Sequence, residues 1–234
     1  MYFRHCCSGF VRPPGLQPYP SKCCRGDDRN MPQLSPPTAD PMAQLFDAEG
    51  ARKYVCGKEW GRFLAAANRL DAPSRTFCYL LAFTGCRISE ALLLTAGRLD
   101  AETGRVIFRT LKRRGLAYRP VPVPPELMTA LRQLARDRPA DALLWAWSRQ
   151  TAWRRVKSAM AAAGICGSQA MPKGLRHGFG IANAEQNVPP GLTQRWMGHA
   201  RLETTAIYQH AVGREERGFA RRVWRRLPPA ADNS

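Results

Sequence analysis

Acidic residues are scarce in this sequence. Its 234 residues include 18 Asp and Glu against 36 Lys and Arg, which gives a formal net charge of +18, while a hydrophobic content of 44% is ordinary for a globular chain. Such an excess of positive charge opposes compaction unless an anionic partner offsets it. Nucleic acid is the usual partner of a basic domain, although solubility or genomic base composition would account for part of the arginine usage.

Long apolar runs are also missing. No run in the chain approaches the roughly 20 residues that span a bilayer. The first ten residues, MYFRHCCSGF, lack the apolar centre of a signal peptide. We therefore expect no membrane partner and a cytoplasmic, nucleoid-associated location.

Motifs for nucleotide and metal chemistry are absent as well. No GxxxxGK[ST] loop is present, which argues against use of ATP or GTP. The adjacent acidic pairs, Asp27-Asp28 and Glu215-Glu216, lie near the two ends of the chain and form no central carboxylate cluster for paired metal ions. We expect no metal and no cofactor, so any phosphoryl chemistry would depend on cationic side chains.

The cysteines do not indicate a disulfide framework. Four of the eight occur singly among helical patterns, and we predict that they are small buried residues in a reducing compartment: Cys56, Cys78, Cys86 and Cys166. The adjacent pairs Cys6-Cys7 and Cys23-Cys24 chelate zinc awkwardly, because zinc ligands are usually separated by two to four residues.

The patterning divides the chain into three parts. Residues 1–45 are proline-rich without periodicity, which predicts a poorly ordered tail. Residues 46–228 are predicted to form one domain, and residues 229–234 a C-terminal tail.

Most of the predicted domain has a helical period. Helical patterning begins near Pro41, and CGKEWGRFLAAANRL predicts an amphipathic helix. SRTFCYLLAF predicts a second helix with Ser74 as its N-cap, which Thr84-Gly85 interrupts before a third begins at RISEALLL. PELMTALRQLARD, SRQTAWRRVKSAMAAAG and the region after Pro172 predict further helices.

Between these helices the texture changes to that of a β-hairpin. RVIFRT and AYRPVPVP are short and rich in β-branched and aromatic residues, and the prolines suit an edge strand. The expected fold is therefore mixed α/β, mostly α-helical with a small antiparallel β-sheet.

Four basic segments could carry chemistry. In TGCRISE, Arg87 follows a Thr-Gly break at the start of a helix, where free N–H groups and a guanidinium suit a phosphate. The alternative is a surface pair with Glu90 at i+3.

The second segment is the hairpin tip. Lys112 could protonate a leaving oxygen there, while Arg113 and Arg114 are predicted to bind DNA phosphates without a catalytic role.

The third segment is PKGLRHGFG. Lys173 and Arg176 are three residues apart and share a helix face at about 5–6 Å, where like charges repel unless an anion lies between them. His177 is predicted to point away from this pair and to pack structurally.

The fourth segment is MGHARLETTAIYQHA. His199 follows Gly198 at a predicted helix start, and Tyr208 follows nine residues later. A single tyrosine is usually a packing residue; the alternative is a nucleophile.

The four segments in this order, TGxRxxE, a basic hairpin, KxxRH and GH-x₈-Y, resemble the catalytic domain of the tyrosine recombinase (phage integrase) family over roughly residues 52–212. The resemblance implies that the catalytic side chains are Arg87, Lys112, Lys173, Arg176, His199 and the nucleophile Tyr208. Many family members have His at the position of Lys173, and Gly178 and Gly180 replace the commoner Thr and Ala.

The resemblance implies a mechanism. Tyr208 would attack a phosphodiester of double-stranded DNA to give a 3′-phosphotyrosyl bond and a free 5′-hydroxyl, without ATP. Arg87 and Arg176 would hold the non-bridging oxygens, and His199 would add a hydrogen bond. Lys173 or His199 would accept the phenolic proton, and Lys112 would protonate the leaving oxygen.

The resemblance also implies an assembly, a homo-tetramer on two DNA sites in which a C-terminal helix docks on the neighbouring protomer. In residues 214–234 an apolar stripe suits that role, although packing on its own domain is an equal alternative: Phe219, Val223, Trp224 and Leu227.

Other readings stay open. Residues 1–50 are too short and too proline-rich for the family's additional DNA-gripping domain, so we expect a compact member, a fragment, or a partner that supplies the grip. The alternatives for activity are a type IB topoisomerase, a DNA-binding relative without activity, and an RNA-binding module. Integration, excision, inversion and resolution are not distinguished.

Overall fold

The computed structural model describes residues 45–110, 117–210, 221–223 and 225. All of them belong to one compact unit, Thr38–Ser234. Residues 1–44, the hairpin tip with Lys112, Arg113 and Arg114, and most of the predicted docking helix lie outside the described residues. The predictions made for those segments, and the predicted domain boundaries, stay predictions.

The described residues form helices around a small sheet, which confirms the predicted fold class. The helices are α1 Gly57–Ala67, α2 Ala72–Thr84, α3 Ile88–Leu92, α4 Pro125–Ala135, α5 Arg149–Ala162, α6 Pro172–Glu185, α7 Pro190–Met197 and α8 Glu203–His210. The strands are β1 Leu99–Asp100, β2 Arg105–Thr110 and β3 Ala117–Pro122. Strand β1 was not predicted, because two residues carry no readable alternation.

Two predicted helix starts are wrong. Residues 45–56 contain no helix, and α1 begins only after Cys56, whose backbone N–H donates to the Glu59 carboxylate at 3.0 Å. The N-cap of α2 is Asp71 and not Ser74: the Asp71 carboxylate accepts from the Ser74 backbone N–H at 3.2 Å. Aspartate is a preferred N-cap residue, and its carboxylate satisfies one of the free N–H groups in the first turn of α2.

The end of α2 and the hairpin follow the sequence signals. Gly85 ends α2 with φ +57, a left-handed conformation that glycine adopts without strain.

Strands β2 and β3 pair antiparallel with Ile107 opposite Pro120, and β3 is an edge strand in the order β1-β2-β3. An edge position tolerates proline because no further strand needs its missing N–H.

The core has two parts. The larger lies between the sheet and helices α1 to α5, and includes Phe63, Phe77, Phe108 and Trp145. The smaller joins α6, α7 and α8, and its members are Leu45, Phe179, Ile181, Met197, Ile207 and Tyr208. Tyr208 therefore belongs to the apolar cluster that fixes the last three helices against each other.

The cysteine prediction is right for two residues of four. Cys78 and Cys86 are buried, Cys56 is half-buried and Cys166 is exposed. Cys166 lies in the connection between α5, which ends at Ala162, and α6, which begins at Pro172. In the part of the chain that the structure describes, no helix is long and apolar enough to cross a membrane.

Candidate active site

Arg87 lies at the N-cap of α3, in the turn that Gly85 opens. Its backbone N–H donates to Glu90 at 2.9 Å, and its Nη1 forms an ion pair with the same carboxylate at 3.1 Å. Nη1 also lies 3.5 Å from the Gly198 carbonyl oxygen. The Arg87 side chain is 25% exposed and lines a cavity. The predicted pair with Glu90 is therefore present, but it is not a surface pair, because the Glu90 side chain is buried. Glu90 orients the guanidinium, and the Arg87 side chain also lines the cavity.

Glu90 has a second cationic partner, Arg119 of β3, which the sequence analysis missed. Arg119 Nη2 lies 2.7 Å from Glu90 Oε2, and both side chains are buried. Arg119 also donates to Thr110 Oγ1 at 3.1 Å and to the Trp196 carbonyl at 2.9 Å. The sequence did contain a signal for this contact. In the alternating pattern of β3, the charged residue Arg119 lies on the same inward face as buried Val121. This network connects the hairpin base, α3 and the end of α7.

Arg176 lies inside α6 and is almost fully buried. Its Nη1 donates to the Gly85 carbonyl at 2.6 Å, and its Nη2 to the Met197 carbonyl at 2.8 Å. Burial and the nearby charge of Arg87 lower the pKa of Arg176 to about 10, which leaves it a cation at neutral pH. The two carbonyls fix the plane of the guanidinium where α2 and α7 end.

Lys173 lies in the first turn of α6 and is exposed. It lines the same cavity as Arg87 and Arg176. Lys173 and Arg176 were predicted to share one helix face, and both side chains line this cavity.

His199 is buried, but the predicted helix start is wrong. Gly198 ends α7 with φ +67, and His199 follows in the turn before α8. His199 Nδ1 lies 2.8 Å from Thr205 Oγ1, so the second threonine of the motif orients the imidazole. Burial, together with Arg176 and Arg87, lowers the pKa of His199 to about 3. The ring is therefore neutral at physiological pH.

Tyr208 lies on α8 with only 2% of its surface exposed. Its ring is nearly parallel to that of His199, with an interplanar angle of 22° and a centroid distance of 6.2 Å. Burial raises the pKa of Tyr208 to about 12, although Arg176 and Arg87 act in the opposite direction. Despite its burial the side chain lines the cavity that Arg87 and Arg176 share.

His177 was predicted to point away from the pair of Lys173 and Arg176 and to pack structurally. It is buried, as expected of a packing residue, but it lines the same cavity as that pair, and its Nδ1 lies 3.2 Å from the phenolic oxygen of Tyr208. The two residues are 31 positions apart, and the packing of α6 against α8 brings them together. No local pattern in the sequence indicated this contact.

One cavity of about 520 Å³ collects these groups. Its lining includes His177 and, from α5, Arg149 and Trp153. Five of the six predicted catalytic residues also line it: Arg87, Lys173, Arg176, His199 and Tyr208. A larger cavity of about 630 Å³ lies between β1 and α4 and contains none of them. The smaller cavity is the candidate site, because four cationic side chains, two neutral imidazoles and a phenol converge there.

Comparison with known sequences assigns the same region to one family. The family model described as the phage integrase family matches residues 53–214. The tyrosine recombinase XerD of Neisseria meningitidis is 32% identical over 166 residues, which cover 64% of this chain and 55% of the relative. The tyrosine recombinase XerA of Pyrococcus furiosus is 31% identical over 172 residues, which cover 69% and 58%. The chain therefore spans little more than half the length of these curated relatives.

Solved structures share the fold. A XerH site-specific recombinase bound to palindromic difH substrate, in a post-cleavage complex, superposes with a TM-score of 0.64 at 23% identity, over 74% of this chain and 53% of that one. The catalytic domain of bacteriophage HP1 integrase superposes with a TM-score of 0.53 at 19% identity, over 77% of this chain and 98% of that one.

Proposed function

The chain belongs to the phage integrase family, and from this we propose that it is a tyrosine-type site-specific recombinase. Its substrate is double-stranded DNA, which it cleaves and rejoins through a 3′-phosphotyrosyl intermediate. The observation that carries the proposal is the convergence of Arg87, Arg176, His199 and Tyr208 on one cavity.

The cavity is suited to a phosphodiester anion. Arg87 and Arg176 lie close enough for the charge of Arg87 to lower the pKa of Arg176. A phosphate between them would replace this repulsion with charge-assisted hydrogen bonds. Because Glu90 and two backbone carbonyls already orient the guanidinium groups, little reorganisation is needed when negative charge develops in the transition state.

Tyr208 is the proposed nucleophile. Its raised pKa keeps the phenol protonated in the free protein, so attack requires a proton acceptor within the site. His199, neutral and oriented by Thr205, would donate a hydrogen bond to a non-bridging oxygen. Lys112 remains the proposed donor of a proton to the leaving 5′-oxygen. No ATP is required, because the phosphotyrosyl ester conserves the bond energy for rejoining.

The proposed assembly is a tetramer on two DNA sites, with exchange of the C-terminal helix. Val223 belongs to the apolar stripe of residues 214–234 and is 58% exposed in the structure. The exposure of this valine supports docking of the apolar stripe on a neighbour. We also propose a location in the cytoplasm with the nucleoid, where the DNA substrate would be found.

The test is covalent trapping on nicked DNA. The DNA substrate is first selected from a randomised pool of duplexes by its binding to the Tyr208→Phe variant. The selected duplex is then nicked near the bound position, so that cleavage releases a short strand and the cleaved strand cannot be rejoined. The wild type is expected to give a covalent protein–DNA band, and Tyr208→Phe none. A band that persists in Tyr208→Phe overturns the assignment of the nucleophile.

The same preparation distinguishes the alternatives. Relaxation of supercoiled plasmid that lacks a selected site would indicate a type IB topoisomerase. Binding without any covalent band in the wild type would indicate a DNA-binding relative that has no activity.

A further inference from the structure

The contact between His177 and Tyr208 has no role in the mechanism described above. We propose that His177 accepts the phenolic proton when Tyr208 attacks, and that His177 also holds the hydroxyl in position for attack. This inference rests on the proposed function, since it concerns the nucleophile of that reaction.

The geometry of α6 supports the assignment. His177 and Gly180 are three residues apart and share one helix face. Gly180 has no side chain, so the Tyr208 ring packs directly on the helix backbone. His177 then meets the hydroxyl at 3.2 Å. One face of α6 thus positions both the ring and the oxygen of the nucleophile.

The hydrogen bonding of His177 is unusual for a structural histidine. Its Nε2 is buried and has no hydrogen-bond partner among the described residues. Buried polar atoms are generally paired, and an exception calls for an explanation. If Nε2 carries the ring proton, the lone pair of Nδ1 faces the phenol, which is the arrangement that a proton acceptor needs.

The surroundings of His177 keep its imidazole neutral before DNA enters. The charged or titratable groups that face it are Lys173 and Arg176 on α6, Lys53 before α1, His199 after α7 and Tyr208 on α8. Burial and the three cations lower the pKa of His177 to about 4. A bound phosphate would bring negative charge into the cavity and favour the imidazolium that forms during attack.

The two acceptors that the sequence analysis considered are less well placed. Lys173 is exposed, and an ammonium must lose its own proton before it can take one. The Nδ1 of His199 is engaged with Thr205. His177 has the contact with the phenolic oxygen itself.

The step is balanced in atoms and charge. The Tyr208 oxygen forms a bond to phosphorus while the bond from phosphorus to the 5′-oxygen breaks. The phenolic proton passes to His177 Nδ1, and the leaving oxygen takes a proton from Lys112. The diester keeps its single negative charge, and rejoining reverses both proton transfers.

The test is the single-turnover rate of covalent trapping between pH 6.5 and 9 on the nicked duplex. If His177 is the acceptor, the wild-type rate is flat over this range because the imidazole is already neutral. If Lys173 is the acceptor, the wild-type rate rises with pH as the free amine accumulates. A rise of about tenfold per pH unit in the wild type overturns the proposal without any variant.

His177→Asn provides the second measurement. Asparagine keeps an acceptor oxygen near the place of Nδ1 but cannot take a proton. We expect a rate lower by about 10²–10⁴-fold, which then rises about tenfold per pH unit because solvent must ionise the phenol. DNA binding and the unfolding midpoint, measured on the same sample, report whether the variant is folded.

The outcomes separate the two proposals. A His177→Asn variant that cleaves at the wild-type rate with a flat profile overturns the role of His177 and leaves the nucleophile intact. A band that persists in Tyr208→Phe overturns the proposed function itself.

Discussion

Gly180 of α6 lies directly against the ring of Tyr208 on α8. A Cβ at residue 180 would overlap the ring atoms Cε2, Cζ and Cδ2. The ring of the proposed nucleophile can occupy this position because residue 180 has no side chain.

Gly180→Ala should displace the Tyr208 ring. We expect destabilisation of about 1–3 kcal/mol from overpacking, and slower covalent trapping because the phenol is no longer aimed by His177. Gly61→Ala is the matched control, since Gly61 is an exposed residue of α1 whose added Cβ would meet nothing within 4 Å. The control should stabilise by about 0.5–1 kcal/mol. Urea unfolding and trapping rates that are equal for both variants would contradict the packing argument.

Breaking the ion pair between Glu90 and Arg119 should lower the free energy of unfolding strongly. Arg119→Leu leaves the Glu90 carboxylate buried with Arg87 as its remaining cationic partner. We expect a loss of about 3–5 kcal/mol in the free energy of unfolding. Arg155→Gln is the comparison, because its pair with Asp71 is exposed and such pairs contribute about 0–1 kcal/mol. Arg155 also donates to Ser74 Oγ and lies over the Trp147 ring, so its loss is an upper bound for the exposed pair. Denaturant titration of both variants checks this, and equal losses would show that burial of the Glu90 pair is unimportant.

The two buried histidines should make stability fall in acid. Their folded pKa values, about 4 for His177 and about 3 for His199, lie below the ordinary value of about 6.5. The unfolded chain therefore binds more protons, so stability is full above pH 6.5 and falls as the pH drops toward the folded values. The slope should approach about 1.4 kcal/mol per pH unit for each histidine. His177→Asn should reduce the slope between pH 6.5 and 5, and an unchanged slope would indicate that His177 is charged in the folded protein.

Arg176→Lys should slow DNA cleavage much more than it weakens DNA binding. A single ammonium cannot span the carbonyls of Gly85 and Met197 while presenting a planar fork to phosphate. We expect covalent trapping to slow by about 10²–10³-fold, with a much smaller change in DNA affinity. Arg132→Lys, an exposed residue of α4 in the other cavity, is the control and should trap DNA at the wild-type rate. A parallel loss of binding and trapping in Arg176→Lys would mean that Arg176 contributes only attraction for DNA.

Local patterns predicted much of this fold. The period of three to four residues gave the helices, Gly85 gave the end of α2, and the content of β-branched and aromatic residues gave the strands β2 and β3. These features depend on contacts between residues a few positions apart, which the sequence displays directly. The errors at Ser74 and His199 have the same scale: Asp71, three residues earlier, supplies the cap of α2, and α8 begins at Glu203, four residues after the start predicted at His199.

The sequence alone determined which chemical groups are present and in what order: an arginine after a Thr-Gly break, a basic hairpin, a KxxRH segment and a tyrosine after a Gly-His pair. Only the tertiary structure decided which atoms meet. Arg119 reaches Glu90 across 29 positions, Tyr208 reaches His177 across 31, and Arg176 reaches the Gly85 carbonyl across 91. Such contacts depend on how closely whole helices approach, and a missing methyl group at Gly180 changes that distance without changing any periodicity.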